Sequence, residues 1–122
     1  MNLTATITEI GPDALNPDDK MLILFDESAT DALKTVTVIQ RFEQRDQLSG
    51  FKFKADQTIT INDQTYTITH VGKLADQNFT TIGHVALLFQ AAPDVDRLES
   101  ALYLTPSVMP EIHEGDTIVY YD

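Results

Sequence analysis

The segment TITINDQTYTITHV, residues 58–71, alternates threonines with apolar or aromatic side chains on both sides of Asn62-Asp63. Successive side chains of a β-strand point to opposite faces, so this pattern predicts two antiparallel strands joined by a tight turn. Asn and Asp tolerate the positive φ that such a turn requires. A two-residue turn places Ile59 opposite Tyr66 and gives the hairpin one more apolar face and one threonine face.

Several other segments show the same period of two. In LTATITEI (3–10), Leu3, Ala5, Ile7 and Glu9 fall on one face, and the threonines share the other face with Ile10. Short strands are also predicted at MLILF (21–25), TVTVIQRF (35–42), HVALLF (84–89), ALYL (101–104) and TIVYY (117–121). Seven or eight short strands separated by turns are typical of an all-β barrel or sandwich.

Two short helices are predicted beside these strands. The first lies in DESATDALK (26–34), with Ser28 or Thr30 as its cap, and the second in LADQNFTTIG (74–83). The second would end at Gly83, because glycine suits a left-handed cap. We therefore expect an all-β fold, a small closed or partly open β-barrel of about six to eight strands with one or two short helices.

Proline and glycine mark the turns of the remaining sequence. The predicted turns are Gly11-Pro12, Asn16-Pro17, Ala92-Pro93, Thr105-Pro106 and Glu114-Gly115. The 122 residues contain no repeat, no low-complexity tract and no linker. A chain of this length suits one core, so a single domain over residues 1–122 is expected.

The charge balance and the missing cysteines exclude several functions. Eight basic and 19 acidic residues give a net charge of −11, which disfavours nucleic acids and anionic membranes and suits a basic partner. Without cysteine there is no disulfide and no thiolate nucleophile. No apolar run approaches the ~20 residues that span a bilayer, and the N-terminus does not read as a signal peptide. A cytoplasmic protein that is not membrane-inserted is expected, with its oligomeric state left open.

Three histidines carry most of the available chemistry. His84 lies between Gly83 and the apolar run VALLF, and two interpretations remain open for it. It is either a packed residue at a strand start or a nucleophile, since a neutral imidazole can accept and return a phosphoryl group. His70 has the parity of the apolar hairpin face, which predicts a partly buried side chain. His113 lies in a polar turn and is expected to be exposed.

No metal or cofactor site is predicted. The sequence HEGD brings His113, Glu114 and Asp116 together, but it matches neither a helical zinc motif nor a calcium loop. The acidic pairs Asp18-Asp19 and Asp94/Asp96 fall beside prolines in loops, where carboxylates are usually solvated. No nucleophile elbow, phosphate-binding loop or dinucleotide motif is present.

Read together, several segments resemble the glucitol/sorbitol-specific IIA component of the phosphoenolpyruvate-dependent sugar phosphotransferase system. The strongest is VGKLADQNFTTIGHVALLF (71–89), with its V-G, polar connector, I-G-H-V and alternating strand ending in Phe. Also similar are ITEIG, MLILFDESATDAL, Gly50, ITINDQTYTITHVG and the final GD turn before TIVYY. The similarity extends over nearly the whole chain without a large insertion.

The resemblance implies a small cytoplasmic β-barrel phosphocarrier. Such a protein accepts phosphate from the phosphohistidine of HPr on a histidine of its own. It then passes the phosphate to a cysteine of a membrane-associated IIB domain of a IIB/IIC permease, during glucitol uptake. Positioning and electrostatics supply most of the catalysis of such a transfer. The resemblance implies no cofactor.

The sequence departs from the family pattern at one position. The family's phosphohistidine lies in an I-H-x-H-like segment after the stretch that resembles ATDAL, and here the aligned residue is Gln40, or Glu43 with a shifted gap. Gln40 shares the predicted parity of Val36, Val38 and Phe42, so it is a polar residue in an apolar row. It is either a hydrogen-bonded edge residue or the remnant of a lost phosphoacceptor. Two main hypotheses follow: a phosphocarrier that uses His84 or a site near Gln40, or a non-phosphorylatable binding or regulatory module. A third is a stand-alone protein that binds a small molecule at the barrel mouth.

Overall fold

The strands and helices follow the predicted order closely. They are β1 (Leu3–Ile10), β2 (Met21–Phe25), α1 (Asp31–Val36), β3 (Val38–Phe42), a 3-10 helix (Arg45–Gly50), β4 (Thr58–Ile61), β5 (Gln64–Val71), α2 (Ala75–Ile82), β6 (Val85–Leu88), β7 (Ala101–Thr105) and β8 (Thr117–Tyr120). The structure, a computed structural model, describes residues 2–15, 18 and 20–121. The predicted turn at Asn16-Pro17 and Asp19 of the acidic pair lie outside these residues.

The strands close into a barrel in the order β1-β3-β2-β6-β7-β5-β4-β8, with β8 pairing back onto β1. Two neighbouring pairs are parallel, β2 with β3 and β6 with β7. A parallel pair needs a crossover connection rather than a hairpin. The first crossover contains α1, and the second, residues 89–100, has neither helix nor strand. The predicted small β-barrel is confirmed, in its closed form.

The β4–β5 hairpin has the predicted register. Ile59 pairs with Tyr66, and the threonine pairs are Thr58 with Thr67 and Thr60 with Thr65. Asn62 adopts the positive φ of 57° that the turn needs. Ile59 and Tyr66 are buried while the paired threonines are exposed or half-buried, so the hairpin's apolar face points into the barrel.

The barrel interior is filled by alternate residues of the strands. The main core includes Leu3, Ala5, Ile7, Leu22, Leu24, Val85, Leu87, Leu102, Leu104 and Ile118. The opposite face of the β6–β7 pair is also covered, because Ala86, Leu88, Ala101 and Tyr103 form a second buried cluster with Ala92 of the crossover. This explains why β6 is buried on both faces and appears as an unbroken apolar run in the sequence.

An aromatic cluster joins α2 and the segment after the 3-10 helix to the barrel. The Phe79 ring of α2 contacts the rings of Phe42, Phe53 and Tyr120 at centroid distances of 5.2, 4.7 and 4.9 Å. Phe51 packs against Phe53 at 5.3 Å. Edge-to-face contacts of this kind stabilise aromatic pairs beyond their buried area, so the cluster fixes α2, and with it the start of β6.

One predicted boundary between residues 26 and 42 is wrong, and one of the two proposed helix caps is confirmed. The helix begins at Asp31, within the predicted range, and Asp26 forms a separate turn before it by accepting a hydrogen bond from the Ser28 backbone. Thr30 is the cap, accepting from the Leu33 N–H. The helix then continues to Val36, which the sequence had placed in a strand with Gln40. Val36 is exposed on α1 and does not share the inward face of β3.

Candidate functional site

The His84 ring is held in one orientation at the entrance to β6. Its Nδ1 lies 3.1 Å from the Leu24 carbonyl oxygen, and the ring stacks on Phe25 with centroids 4.2 Å apart and an interplanar angle of 19°. A carbonyl only accepts hydrogen bonds, so in the neutral ring Nδ1 carries the proton and Nε2 keeps its lone pair. The side chain is partly exposed, and Nε2 has no hydrogen-bond partner among the described residues.

The backbone before His84 is fixed by the end of α2. Gly83 adopts a left-handed φ of 63° and ψ of 24°, and its N–H donates to the Phe79 carbonyl. The N–H of His84 donates to the Asn78 carbonyl at 3.2 Å. The predicted helix within residues 74–83 and its glycine cap are confirmed, since α2 ends at Ile82.

Gln40 lies inside the barrel behind this turn. It is 0% exposed, its Nε2 donates to the Gly83 carbonyl at 3.0 Å, and its Oε1 accepts from the Tyr120 hydroxyl at 2.6 Å. Of the two interpretations, the hydrogen-bonded edge residue is therefore right about the hydrogen bonds but wrong about the edge, because β3 has β1 and β2 on its two sides. Although its side chain is enclosed, Gln40 contacts the backbone next to His84 through the Gly83 carbonyl.

Tyr120 shares this enclosed environment. Burial raises the pKa of its phenol well above the usual value, and the hydrogen bond to Gln40 acts in the opposite direction without offsetting this. The phenol therefore stays protonated, as a donor to Gln40, across the physiological pH range.

The buried phenol predicts a loss of stability at alkaline pH. Tyrosines of the unfolded chain ionise near pH ~10, whereas folded Tyr120 keeps its proton, so the free energy of unfolding falls as the pH rises above about 10. The loss is about 1.4 kcal/mol per pH unit for one such group. Urea unfolding from pH 8 to pH 11 should show a shallower decline in Tyr120→Phe than in the parent, and identical slopes would contradict it. Burial also raises the pKa of Tyr66, so the variant keeps part of the decline.

A residue with a buried carboxylate, Asp26, lies beside Gly83. Asp26 is 1% exposed and accepts from both the N–H and the hydroxyl of Ser28. Its other oxygen lies 3.1 Å from Nη2 of Arg45, and Arg45 also approaches Glu27 at 3.7 Å. The N–H of Asp26 donates to the Ile82 carbonyl. These contacts lock the end of β2 onto the end of α2.

The structure does not bring His70 and His113 together with His84. An irregularity in the β5–β7 pairing between Ile68 and His70 turns His70 partly outward. Its ring meets Tyr103 edge-on at 5.8 Å, next to a cleft of about 430 Å³ that Arg97 also lines. His113 is exposed in the last turn, near the carboxylates of Glu111 and Asp116. Among the described residues, no backbone carbonyl accepts a hydrogen bond from a ring nitrogen of His70 or His113. Neither ring therefore has its tautomer fixed as that of His84 is.

The described residues offer neither a metal site nor a membrane-spanning helix. No group of three or more His, Asp or Glu side chains within residues 2–15, 18 and 20–121 converges as metal ligands do. In that part of the chain, no helix is long and apolar enough to cross a bilayer.

Sequence reasoning missed three neighbours of this site, although parity offered a signal for each. Asp26 continues the inward row of Leu22 and Leu24, so its burial at the end of β2 could have been predicted. Phe25 falls on the outward face of the same strand, where it meets His84 across the β2–β6 pairing. Tyr120 has the parity of Ile118 in β8. What parity could not supply is which strands are neighbours.

The chain is similar to known proteins both in its three-dimensional structure and in its sequence. It superposes on a crystal structure of the PTS system IIA component from Enterococcus faecalis V583 with a TM-score of 0.91 and 42% sequence identity, covering 98% of this chain and 99% of that one. The barrel is thus that of a phosphotransferase-system IIA component. The family described as PTS system glucitol/sorbitol-specific IIA component matches residues 2–119, and the chain belongs to it. A comparison with curated proteins finds no match.

Proposed function

We propose that this IIA component is a phosphocarrier that accepts a phosphoryl group from phospho-HPr on Nε2 of His84 and passes it to a IIB domain for glucitol or sorbitol uptake. The observation that supports this most is the orientation of His84. Its ring is partly exposed, its proton is held on Nδ1 by the Leu24 carbonyl at 3.1 Å, and its lone pair is left on Nε2.

The transfer needs no cofactor and no net proton movement at the acceptor nitrogen. The Nε2 lone pair attacks the phosphorus of the donor phosphohistidine, the new N–P bond forms, and the donor's N–P bond breaks in line. The Leu24 carbonyl stabilises the positive charge that develops on the ring through the Nδ1–H bond. In the second transfer a cysteine thiolate of IIB attacks the same phosphorus, and Nε2 recovers its lone pair.

His84 is a better candidate than the position that the family pattern indicates. Gln40 has no nucleophilic nitrogen and is enclosed in the barrel, where a partner protein does not reach its side chain. Gly83 contributes by conformation, since its left-handed φ turns the chain from α2 into β6. We expect HPr and the IIB domain to dock on the barrel surface around His84.

The charge of the chain fits the proposed partners and place. HPr and a IIB domain are the partners that the family implies, and a net charge of −11 favours encounter with a basic docking patch. The family implies a cytoplasmic phosphocarrier, so we place this protein in the cytoplasm.

Intact-mass measurement tests the proposal. The purified protein, incubated with phosphoenolpyruvate, enzyme I and HPr, should gain one phosphate that is labile in acid and stable in base, as a phosphohistidine is. A reaction without HPr is the control and should give no gain. A protein that stays unmodified with active HPr would instead be the non-phosphorylatable binding module.

A further inference from the structure

We infer that Gln40 is a positioning residue for His84, acting from inside the barrel through the Gly83 carbonyl. This inference rests on the proposed role of His84 and adds to it the group that holds the acceptor in place. Gln40 reaches across 43 residues of sequence to a buried bond of 3.0 Å with Gly83, the residue bonded to His84.

The Gly83–His84 peptide is held at both of its polar atoms. Its carbonyl accepts from the Gln40 amide at 3.0 Å, and its N–H donates to Asn78 at 3.2 Å. A peptide group is planar, so two bonds on opposite edges fix its rotation. That rotation sets the direction of the Cα–Cβ bond of His84, and with it the distance from Nδ1 to the Leu24 carbonyl.

The Gln40 side chain has only one usable orientation. The Gly83 carbonyl accepts and never donates, so the NH₂ of the amide must face it and Oε1 must face Tyr120. The Tyr120 hydroxyl then donates at 2.6 Å, and its raised phenol pKa keeps that donor protonated. A continuous buried chain, Tyr120 to Gln40 to Gly83, therefore ends at the backbone of the acceptor histidine.

Packing alone does not require an amide at this position. The flanking inward residues of β3, Val38 and Phe42, are apolar members of the core, and an apolar side chain of similar volume would fill the same space. An amide is needed because the enclosed Gly83 carbonyl would otherwise lack a donor and the buried Tyr120 hydroxyl would lack an acceptor. Gln40, the polar residue in the apolar row, thus provides the hydrogen-bond donor for the Gly83 carbonyl in the turn before His84.

The experiment compares Gln40→Met with two further variants. Methionine keeps the approximate length and volume but donates nothing to Gly83. Tyr120→Phe keeps the Gln40–Gly83 bond and frees the other end of the amide. Thr37→Val is the matched control, because Thr37 is a buried polar residue beside β3 whose hydroxyl donates to the Leu33 carbonyl at 2.7 Å, away from the His84 turn.

The readouts are the tautomer of His84, from its imidazole ¹⁵N chemical shifts, and the rate of phosphorylation by phospho-HPr. We expect Gln40→Met to lose the predominance of the Nδ1–H tautomer and to be phosphorylated about tenfold or more slowly, as misplacement of a reacting group produces. Tyr120→Phe should shift both readouts in the same direction by less, and Thr37→Val should leave both at the parent values.

Each result decides between positioning and simple packing. Unchanged ¹⁵N shifts and an unchanged rate in a folded Gln40→Met would overturn the inference. If Gln40→Met does not fold, Gln40→Leu takes its place, since leucine also donates nothing to Gly83, and parent values of both readouts in a folded Gln40→Leu would overturn the inference. A failure of the proposed function is distinguishable from this, because the parent protein would then take up no phosphate from HPr. The tautomer measurement would still test the role of Gln40.

Discussion

A His84→Gln variant is expected to take up no phosphate from phospho-HPr. The glutamine amide can still donate to the Leu24 carbonyl, which His84 contacts at 3.1 Å, so the fold should be kept. What the variant lacks is a nitrogen with a free lone pair, because an amide nitrogen is a very poor nucleophile. Intact-mass spectrometry after incubation with phosphoenolpyruvate, enzyme I and HPr measures the loss, which should be complete.

His70→Gln and His113→Gln are the matched controls for this result. Both rings are at least partly exposed, but neither is oriented by a backbone carbonyl as His84 is, and we expect both variants to be phosphorylated as the parent is. Phosphate retained by His84→Gln would assign the acceptor to one of these two residues, and the variant that then loses it would identify which.

Gly83→Ala should be the most destabilising of three glycine substitutions. A left-handed conformation costs a residue with a Cβ about 1–2 kcal/mol, and Gly83 has φ of 63°. The new Cβ would also lie 2.7 Å from the Cβ of Asp26 and 3.2 Å from the Phe42 ring. Overpacking of this kind costs about 1–3 kcal/mol more. The free energy of unfolding, measured by urea titration with far-UV circular dichroism, should fall by about 2–5 kcal/mol.

Alanine substitutions at two other glycines distinguish the cost of the left-handed backbone from the cost of the steric clash at Gly83. Gly115 has a positive φ of 93°, but a Cβ there meets nothing within 4 Å, so Gly115→Ala should show the conformational cost alone. A Cβ at Gly50 also meets nothing within 4 Å, and no positive φ accompanies it. Gly50→Ala should therefore change stability little. If Gly83→Ala were no more destabilised than Gly115→Ala, the close approach of Asp26 would add nothing to the cost of a Cβ at residue 83.

The parts of the fold that depend on local pattern could be predicted from the sequence. The β4–β5 hairpin has its predicted register because both strands and their turn lie within residues 58–71. The left-handed end of α2 was predicted for the same kind of reason, since the cap and helix are contiguous. For α1 the sequence left two caps open, Ser28 and Thr30. The helix begins after Thr30 because the Asp26 side chain competes for backbone N–H groups and forms a separate turn with Ser28.

The candidate site was harder to predict because its contacts cross the barrel. His84 could be singled out as a histidine after glycine, yet its hydrogen bond to Leu24 spans 60 residues of sequence. Gln40 could be recognised as a polar residue in an apolar row, but its partners, Gly83 and Tyr120, follow only from the strand order. Alternation gives the face of each side chain, and only the closed topology gives its neighbour.

The closure of the barrel has a consequence for folding. Leu3 of β1 pairs with Tyr120 of β8, so the two strands that seal the sheet are separated by almost the entire chain. Contacts between such distant segments carry a large loop-closure entropy and slow the folding of β proteins. Tyr120 also holds Gln40, so the interior support of His84 is complete only after this last pairing. We therefore expect the protein to become competent to receive phosphate late in refolding, after the β4–β5 hairpin has formed.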